Sequence, residues 1–179
     1  SRHVPYLFIR ISDAQNPAQR YAARELSHFL AEITGARLPV HDARTAPPAG
    51  PAIVVGYAEN GPIAKEDIAA PDSFGIAEAD GTLYIAGQEP RGTLYGVYGF
   101  LEEVCGCRFF AGSCNVVPKK DAVEIPEGYR FFDKPVFPYR ELFYRDTFPG
   151  DTAARLRLNG DHHRLHAEHG GKLGYVPGY

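Results

Sequence analysis

Apolar positions recur along this chain with two periods, one helical and one alternating. Between Asn16 and Gly35, Ala22, Leu26, Phe29, Leu30 and Ile33 fall at i, i+4, i+7, i+8 and i+11, a continuous helical face. Asn16 supplies the N-cap, Pro17 the first helical position, Gln19 the place a capping box uses, and Gly35 a left-handed C-terminal cap. In RGTLYGVYGFLEEVCGC, Leu94, Val97, Tyr98, Leu101 and Val104 predict a second helix, stopped at Gly106. It contains Gly92, Gly96 and Gly99 at i, i+4 and i+7, although each glycine costs about 0.5–1 kcal/mol in a helix interior. The spacing makes a bare stripe, so the expectation is close packing against a neighbouring backbone or ring.

Strand patterns run over 4–11, 38–41, 52–56, 73–79, 83–88, 108–110 and 122–125. Asp80-Gly81 between two of them is a strong hairpin signal, making that pair antiparallel. The order β-α-β-β-β-β-α-β predicts an α+β fold, a mixed β-sheet with both helices packed on one face. PEGYRFFDKP reads as a proline-flanked connector, so a boundary is placed between residues 1–132 and 133–179. Beyond it VFPYRELFYRD has the nearly continuous apolar character of a strand buried on both faces. A short helix over 152–158, capped by Asp151, is expected to end at Asn159-Gly160.

Composition narrows the possibilities. With 179 residues, 44% of them hydrophobic, the chain can build one ordinary core. A net charge of -3 from interspersed acids and bases leaves no basic stripe for nucleic acid, and no apolar run reaches the roughly 20 residues of a membrane span. Cys105, Cys107 and Cys114 show neither a disulfide framework nor zinc spacing, and read as buried free thiols; no cofactor is implied. The chain has no methionine, opens SRHV and ends GGKLGYVPGY, which suggests a piece of a longer protein.

The runs AARELSHFLAEITGARLPV, IVVG, LYIAGQEPRGTLYGVYGFLEEVCGCRFF, VVPK, KPVFPYRE and ARLRLNG, in that order, resemble the N-terminal region of bacterial glycoside-hydrolase-like proteins carrying domain of unknown function 4838. The chain is similar, more distantly, to the N-terminal domain of α-glucuronidases and the second domain of β-hexosaminidases. The resemblance covers nearly the whole chain. It implies a hexosaminidase domain 2-like accessory domain ahead of a catalytic (β/α)8 barrel of the same chain, with VFPYRELFY as the first barrel strand. It further implies a secreted or periplasmic parent hydrolase acting on a glycan substrate, with catalytic carboxylates beyond this chain. Tyr139-Arg140 matches a hexosaminidase Tyr-Arg-Gly arginine that contacts the sugar, except that Glu141 replaces the glycine; Arg140 is therefore the one candidate substrate-binding residue.

Other chemistry is weaker. Glu141 and Asp146, five residues apart on a strand, would lie about 16 Å apart and on opposite faces, so they form no acid pair. In DHHRLHAEHGG, a helix would bring His162, His166 and His169 onto one face, with His163 beside them, but the HExxH order is absent and glycines bracket the run; a solvated rim loop is the competing reading. IAGQEPRGTLYG lacks a phosphate-binding glycine motif, leaving Arg91 a structural contact. The alternative to an accessory domain is a stand-alone carbohydrate-binding module, which the absence of tryptophan disfavours.

Overall fold

The computed structural model describes residues 6–42, 44 and 48–174. Its central feature is a 6-stranded sheet in the order β2-β1-β3-β5-β4-β8. The strands are β1 (Phe8–Ile11), β2 (Val40–His41), β3 (Ala52–Val55), β4 (Phe74–Ala79), β5 (Thr82–Gly87) and, after the two-stranded hairpin of β6 (Arg108–Ala111) and β7 (Cys114–Val116), β8 (Arg130–Asp133). Strands β2, β1, β3 and β5 run parallel; β4 is antiparallel to both β5 and β8. The sheet is mixed, and helices α1 (Pro17–Thr34) and α2 (Gly92–Glu103) pack on one face of it over a core that includes Ile9, Ile53, Ile76, Ile85, Leu26 and Leu101. The opposite face carries a smaller cluster of Ile63, Ile68, Ala77 and Ala86, roofed by the 3-10 turn Lys65–Ile68.

Local chemistry accounts for the element ends. Asn16 Oδ1 accepts from the amides of Ala18 and Gln19, and Gly35 at φ +78 closes α1 by donating to Ala31 O at 2.8 Å. Gln19 does not complete a capping box. Its side chain accepts from the Asp13 amide and donates to Glu89, tying the start of α1 to the approach to α2. Asp80 and Gly81, both at positive φ, form the two-residue β4–β5 turn, with Ala79 opposite Thr82. Lys119 and Lys120 donate to the last carbonyls of α1 and the end of α2, where the helix dipole favours cations.

The glycine stripe of α2 is filled by the sheet. A Cβ on Gly96 would stand 2.8 Å from Ile85 Cγ2 and 3.3 Å from Phe74 Cβ, and one on Gly99 would stand 2.6 Å from Phe74 Cζ. Gly92 lies against Gly87 and the Ser73 carbonyl, which lets the α2 N-terminus press onto the end of β5. Cys105 and Cys107 are buried free thiols whose pKa values burial pushes up to about 12 and about 11; Cys114 is exposed.

Several expectations are corrected. Residues 122–125 form no strand, whereas 130–133, read as connector, is the sixth strand of the sheet. Alternating Phe131 and Phe132 decide this: Phe131 joins the helix-side core and Phe132 the opposite cluster. The run 134–144 is not a strand, and Val136 and Phe143 are 87% and 73% exposed. A strand buried on both faces needs flanking neighbours, which the described residues do not supply. Helix α3 spans Gly150–Arg155 from an N-cap at Pro149, with Asp151 inside its first turn. Its Ala153 and Ala154, with Leu158 and Leu165, join the same core as the sheet. The N-terminal part of the strand expected over 4–11 lies partly outside the described residues.

Gly96→Leu is expected to destabilise the protein by about 3 kcal/mol or more, because the side chain must displace both a strand and Phe74. Urea unfolding checks this; a wild-type midpoint would show that the stripe is not filled.

Candidate functional site

The turn before β4 places Asp72 at φ +60, a left-handed conformation that aspartate tolerates better than most residues, with its carboxylate 3% exposed. One oxygen accepts from Arg91 Nε at 2.8 Å; the other accepts from Arg140 Nη2 at 2.7 Å and Asn159 Nδ2 at 3.0 Å. Asn159 is fully buried and fully used: its amide also donates to Pro138 O, and its Oδ1 accepts from the Arg140 backbone. Arg91 stands at the N-cap of α2 and reaches on to Gly170 O. Three separate segments therefore converge on one carboxylate.

Arg140 is the centre of this convergence. Its Nε donates to Arg157 O at 2.7 Å, Nη1 to Phe137 O and Pro138 O at 2.8 and 3.2 Å, and Nη2 to Asp72 and to Tyr95 Oη at 2.7 and 3.5 Å. These five bonds match the five N–H donors of a guanidinium. A ligand hydroxyl would have to displace one of them. The guanidinium also lies over the Tyr95 ring, 5.6 Å from its centroid. Burial, then the Asp72 charge, pushes the Tyr95 phenol up to about 12, so it stays protonated and donates to Leu158 O.

A second network joins the three helices. Glu25 of α1 accepts from Tyr98 of α2 at 2.9 Å and, through both oxygens, from Arg155 of α3 at 3.0 and 3.2 Å. Burial and the facing Glu25 raise the Tyr98 phenol far above its ordinary range. Nearby, Tyr21 donates to Asp151 at 2.7 Å.

The histidines do not share a helical face. Within the described residues the only helical piece there is the 3-10 turn Ala167–His169. His163 and His169 are buried, each between a donor and an acceptor. His163 Nδ1 meets Thr147 O at 2.8 Å while its Nε2 accepts from the Leu142 amide at 3.4 Å. His169 accepts from the His166 amide at Nδ1 and donates from Nε2 to Asp151 at 2.8 Å. Both rings are therefore structural hydrogen-bonders in fixed tautomers. Among the described residues no group of three or more His, Cys, Asp or Glu side chains is placed to hold a metal ion.

His162 differs. Its side chain is 52% exposed, its Nδ1 lies 2.9 Å from Glu141 Oε1, and its backbone amide donates to the same oxygen at 2.7 Å. Burial alone would raise the Glu141 carboxyl, but the His162 amide, the His162 ring and the Tyr139 hydroxyl outweigh it, and the net shift is downward. Glu141 and Asp146 are not brought together as a pair: Asp146 lies in the separate 3-10 turn Arg145–Thr147. Asp72 and Asn159 organise the site, yet no sequence pattern marks either for it: Asn159 reads only as part of the Asn159-Gly160 helix stop. The nearest signal was Asp72 in the turn PDS, a setting equally suited to a solvated loop.

A mixed sheet with two helices packed on one face is a fold that solved glycoside hydrolases share. Its sequence carries the assignment further: residues 7–100 match the family model described as Glycosyl hydrolase family 67 N-terminus, and the chain belongs to that family. A family GH115 4-O-methyl-α-glucuronidase with specificity for decorated arabinogalactans superposes with a TM-score of 0.56 at 16% identity over 89% of this chain. A mutant Streptomyces plicatus β-hexosaminidase in complex with its GlcNAc product superposes with a TM-score of 0.52, also at 16% identity over 89%. These likenesses establish the fold, and they agree with the α-glucuronidase and β-hexosaminidase resemblance of the sequence. The chain spans 25% and 31% of the lengths of those two structures. No curated protein matches it. Among the described residues no helix is long and apolar enough to cross a membrane.

Asp72→Asn keeps a residue suited to positive φ but removes the charge from between two buried guanidinium groups. It is expected to cost about 3–5 kcal/mol in urea unfolding; a loss under about 1 kcal/mol would mean the hub is not an ionic one. Burial raises the Asp151 carboxyl, but the hydrogen bonds from Tyr21 and His169 prevail and lower it. Its stabilising contribution is thus present above about pH 4, the unfolded carboxylate range, and is lost as pH falls through the lowered value. The acid limb of stability against pH should be shallower in Asp151→Asn than in the wild type.

Proposed function

We propose that this chain is a non-catalytic N-terminal accessory domain of a polysaccharide-degrading glycoside hydrolase, and that residues 133–179 begin its catalytic (β/α)8 barrel. The observation that carries the reading is the run 136–144. It is pinned to the domain through Arg140 and Asp72, yet Val136, Phe137, Leu142, Phe143 and Tyr144 are all exposed. Successive residues of an extended chain point to opposite sides, so exposure of Leu142, Phe143 and Tyr144 in a row leaves both sides uncovered. Neighbouring strands of a barrel would flank the segment and cover most of this surface. Family membership and the small share of the related structures that the chain spans support the same reading. A polymeric glycan substrate agrees with a secreted or periplasmic parent.

On this reading Arg140 is a positioning residue, which orients the first barrel strand through Asp72 rather than contacting the sugar. Amide hydrogen exchange tests the proposal. Apart from the amides of Arg140 and Leu142, which are already hydrogen-bonded, residues 136–144 should exchange rapidly in the 179-residue chain and become strongly protected in the full-length polypeptide; equal exchange in both would overturn the barrel assignment. The 179-residue chain should not turn over aryl glycosides, and turnover abolished by Arg140→Ala would refute the accessory role.

A further inference from the structure

Along 139–143 alternate side chains separate cleanly. Arg140 turns to the hub, while Tyr139, Glu141 and Phe143 gather on the other side around His162. The Glu141 oxygen 2.9 Å from His162 Nδ1 is also held by the His162 amide, so carboxylate and ring are fixed together by two bonds. A carboxylate is only an acceptor, so a neutral His162 ring carries its proton on Nδ1 and keeps Nε2 as its acceptor. Gly160 packs against the Glu141 side chain, where a Cβ would meet its carboxylate at 2.7 Å, and this limits the rotamers Glu141 can adopt. Phe143 leans on the imidazole with ring centroids 4.3 Å apart and planes 56° apart, and is itself 73% exposed.

An acceptor of fixed direction beside an open aromatic face matches a ligand that presents a hydroxyl donor next to an apolar C–H face. A pyranose ring has that character. We infer that His162 and Phe143 form a sugar-contacting site, with His162 Nε2 accepting from a ring hydroxyl, Phe143 stacking on the sugar, and Glu141 acting as the positioning residue that sets the imidazole tautomer. The inference rests on the glycoside-hydrolase association above and extends it to named residues. It also gives the polar side of 139–143 a role within a barrel, since that side would face ligand while Arg140 faces the accessory domain.

Nuclear magnetic resonance on the 179-residue chain tests it, using the methyl glycosides of glucuronic acid, xylose and N-acetylglucosamine as probes. Long-range 1H–15N spectra should show His162 as the Nδ1–H tautomer, and at least one glycoside should shift the His162 and Phe143 ring signals saturably. His162→Ala and Phe143→Ala should each weaken that binding about tenfold, the effect of losing one ordinary hydrogen bond or stacking contact. Glu141→Gln should leave the fold intact but mix the two tautomers, a change that a purely structural glutamate would not produce. The inference fails if the wild-type ring is the Nε2–H tautomer, if no glycoside shifts either ring, or if both alanine variants bind as the wild type does. Silent rings combined with a protected 136–144 run in the full-length polypeptide would sink this site alone and leave the accessory-domain reading standing. Saturable shifts with an unprotected run would do the reverse.

Discussion

The carboxylate of Asp72 is the constraint on which the arrangement of the C-terminal half depends. Within one buried site it meets Arg91 and Arg140, so one negative charge faces two positive ones. The excess is met by carbonyl dipoles: Phe137, Pro138, Arg157 and Gly170 all turn their oxygens toward the two guanidinium groups. A buried ion pair contributes little net stability compared with apolar packing, but removing one partner is costly and alternative arrangements become unfavourable. The hub is therefore better understood as fixing where residues 137–140, 157–159 and 170 must lie than as a source of stability. The second network works in the same sense one layer away, where Glu25 holds Tyr98 and Arg155 so that α1, α2 and α3 keep one mutual orientation.

These polar clasps can be directional because the layers beneath them are rigid. Gly96 and Gly99 bring α2 down onto Ile85 and Phe74 until there is no room for a methyl group, and Gly87 and Gly92 do the same where β5 meets the helix start. With the α2 N-terminus placed so closely on the sheet, Arg91 arrives beside the turn that carries Asp72. Close packing and the ionic hub are thus successive consequences of the same glycine spacing. The cost of glycine in a helix is offset by the interface it permits.

What could be read in the sequence was local, and what could not was long-range. Asn16, Pro17 and Gly35 bound α1, and Asp80-Gly81 joins β4 to β5, because caps and two-residue turns are decided by the residues that form them. The glycine stripe was legible for the same reason, as a periodicity within one helix. The partners of Asp72, by contrast, lie 19, 68 and 87 residues away, and no local pattern distinguishes a hub aspartate from one in a solvated turn. β8 reads as a connector because its own four residues, set between Pro126 and Pro135, give too short an alternation, and its pairing with β4 is set by the sheet edge that receives it. Helical spacing suggested one face for His162, His166 and His169, but backbone turns instead send the His162 ring to Glu141 and the His169 ring to Asp151.

The segment 136–144 shows why the same residues can look finished on one side and unfinished on the other. The Arg140 side has every donor engaged, and the flanking carbonyls of Phe137 and Pro138 are bonded to the very guanidinium they precede. Of the apolar residues around it, Phe143 meets the His162 ring, yet Leu142, Phe143 and Tyr144 together still present a large exposed surface. Exposed aromatic surface on this scale is unfavourable in water and marks an interaction surface in a folded protein. Anchoring such a segment at a single buried charge lets the domain present it in one register to whatever covers it. In an extended chain that register determines the facing of every side chain at once, because a slip of one residue would exchange Arg140 with Glu141. The hub at Asp72 admits an arginine there and excludes a glutamate, so it sets which side of the segment faces the domain and which faces away from it.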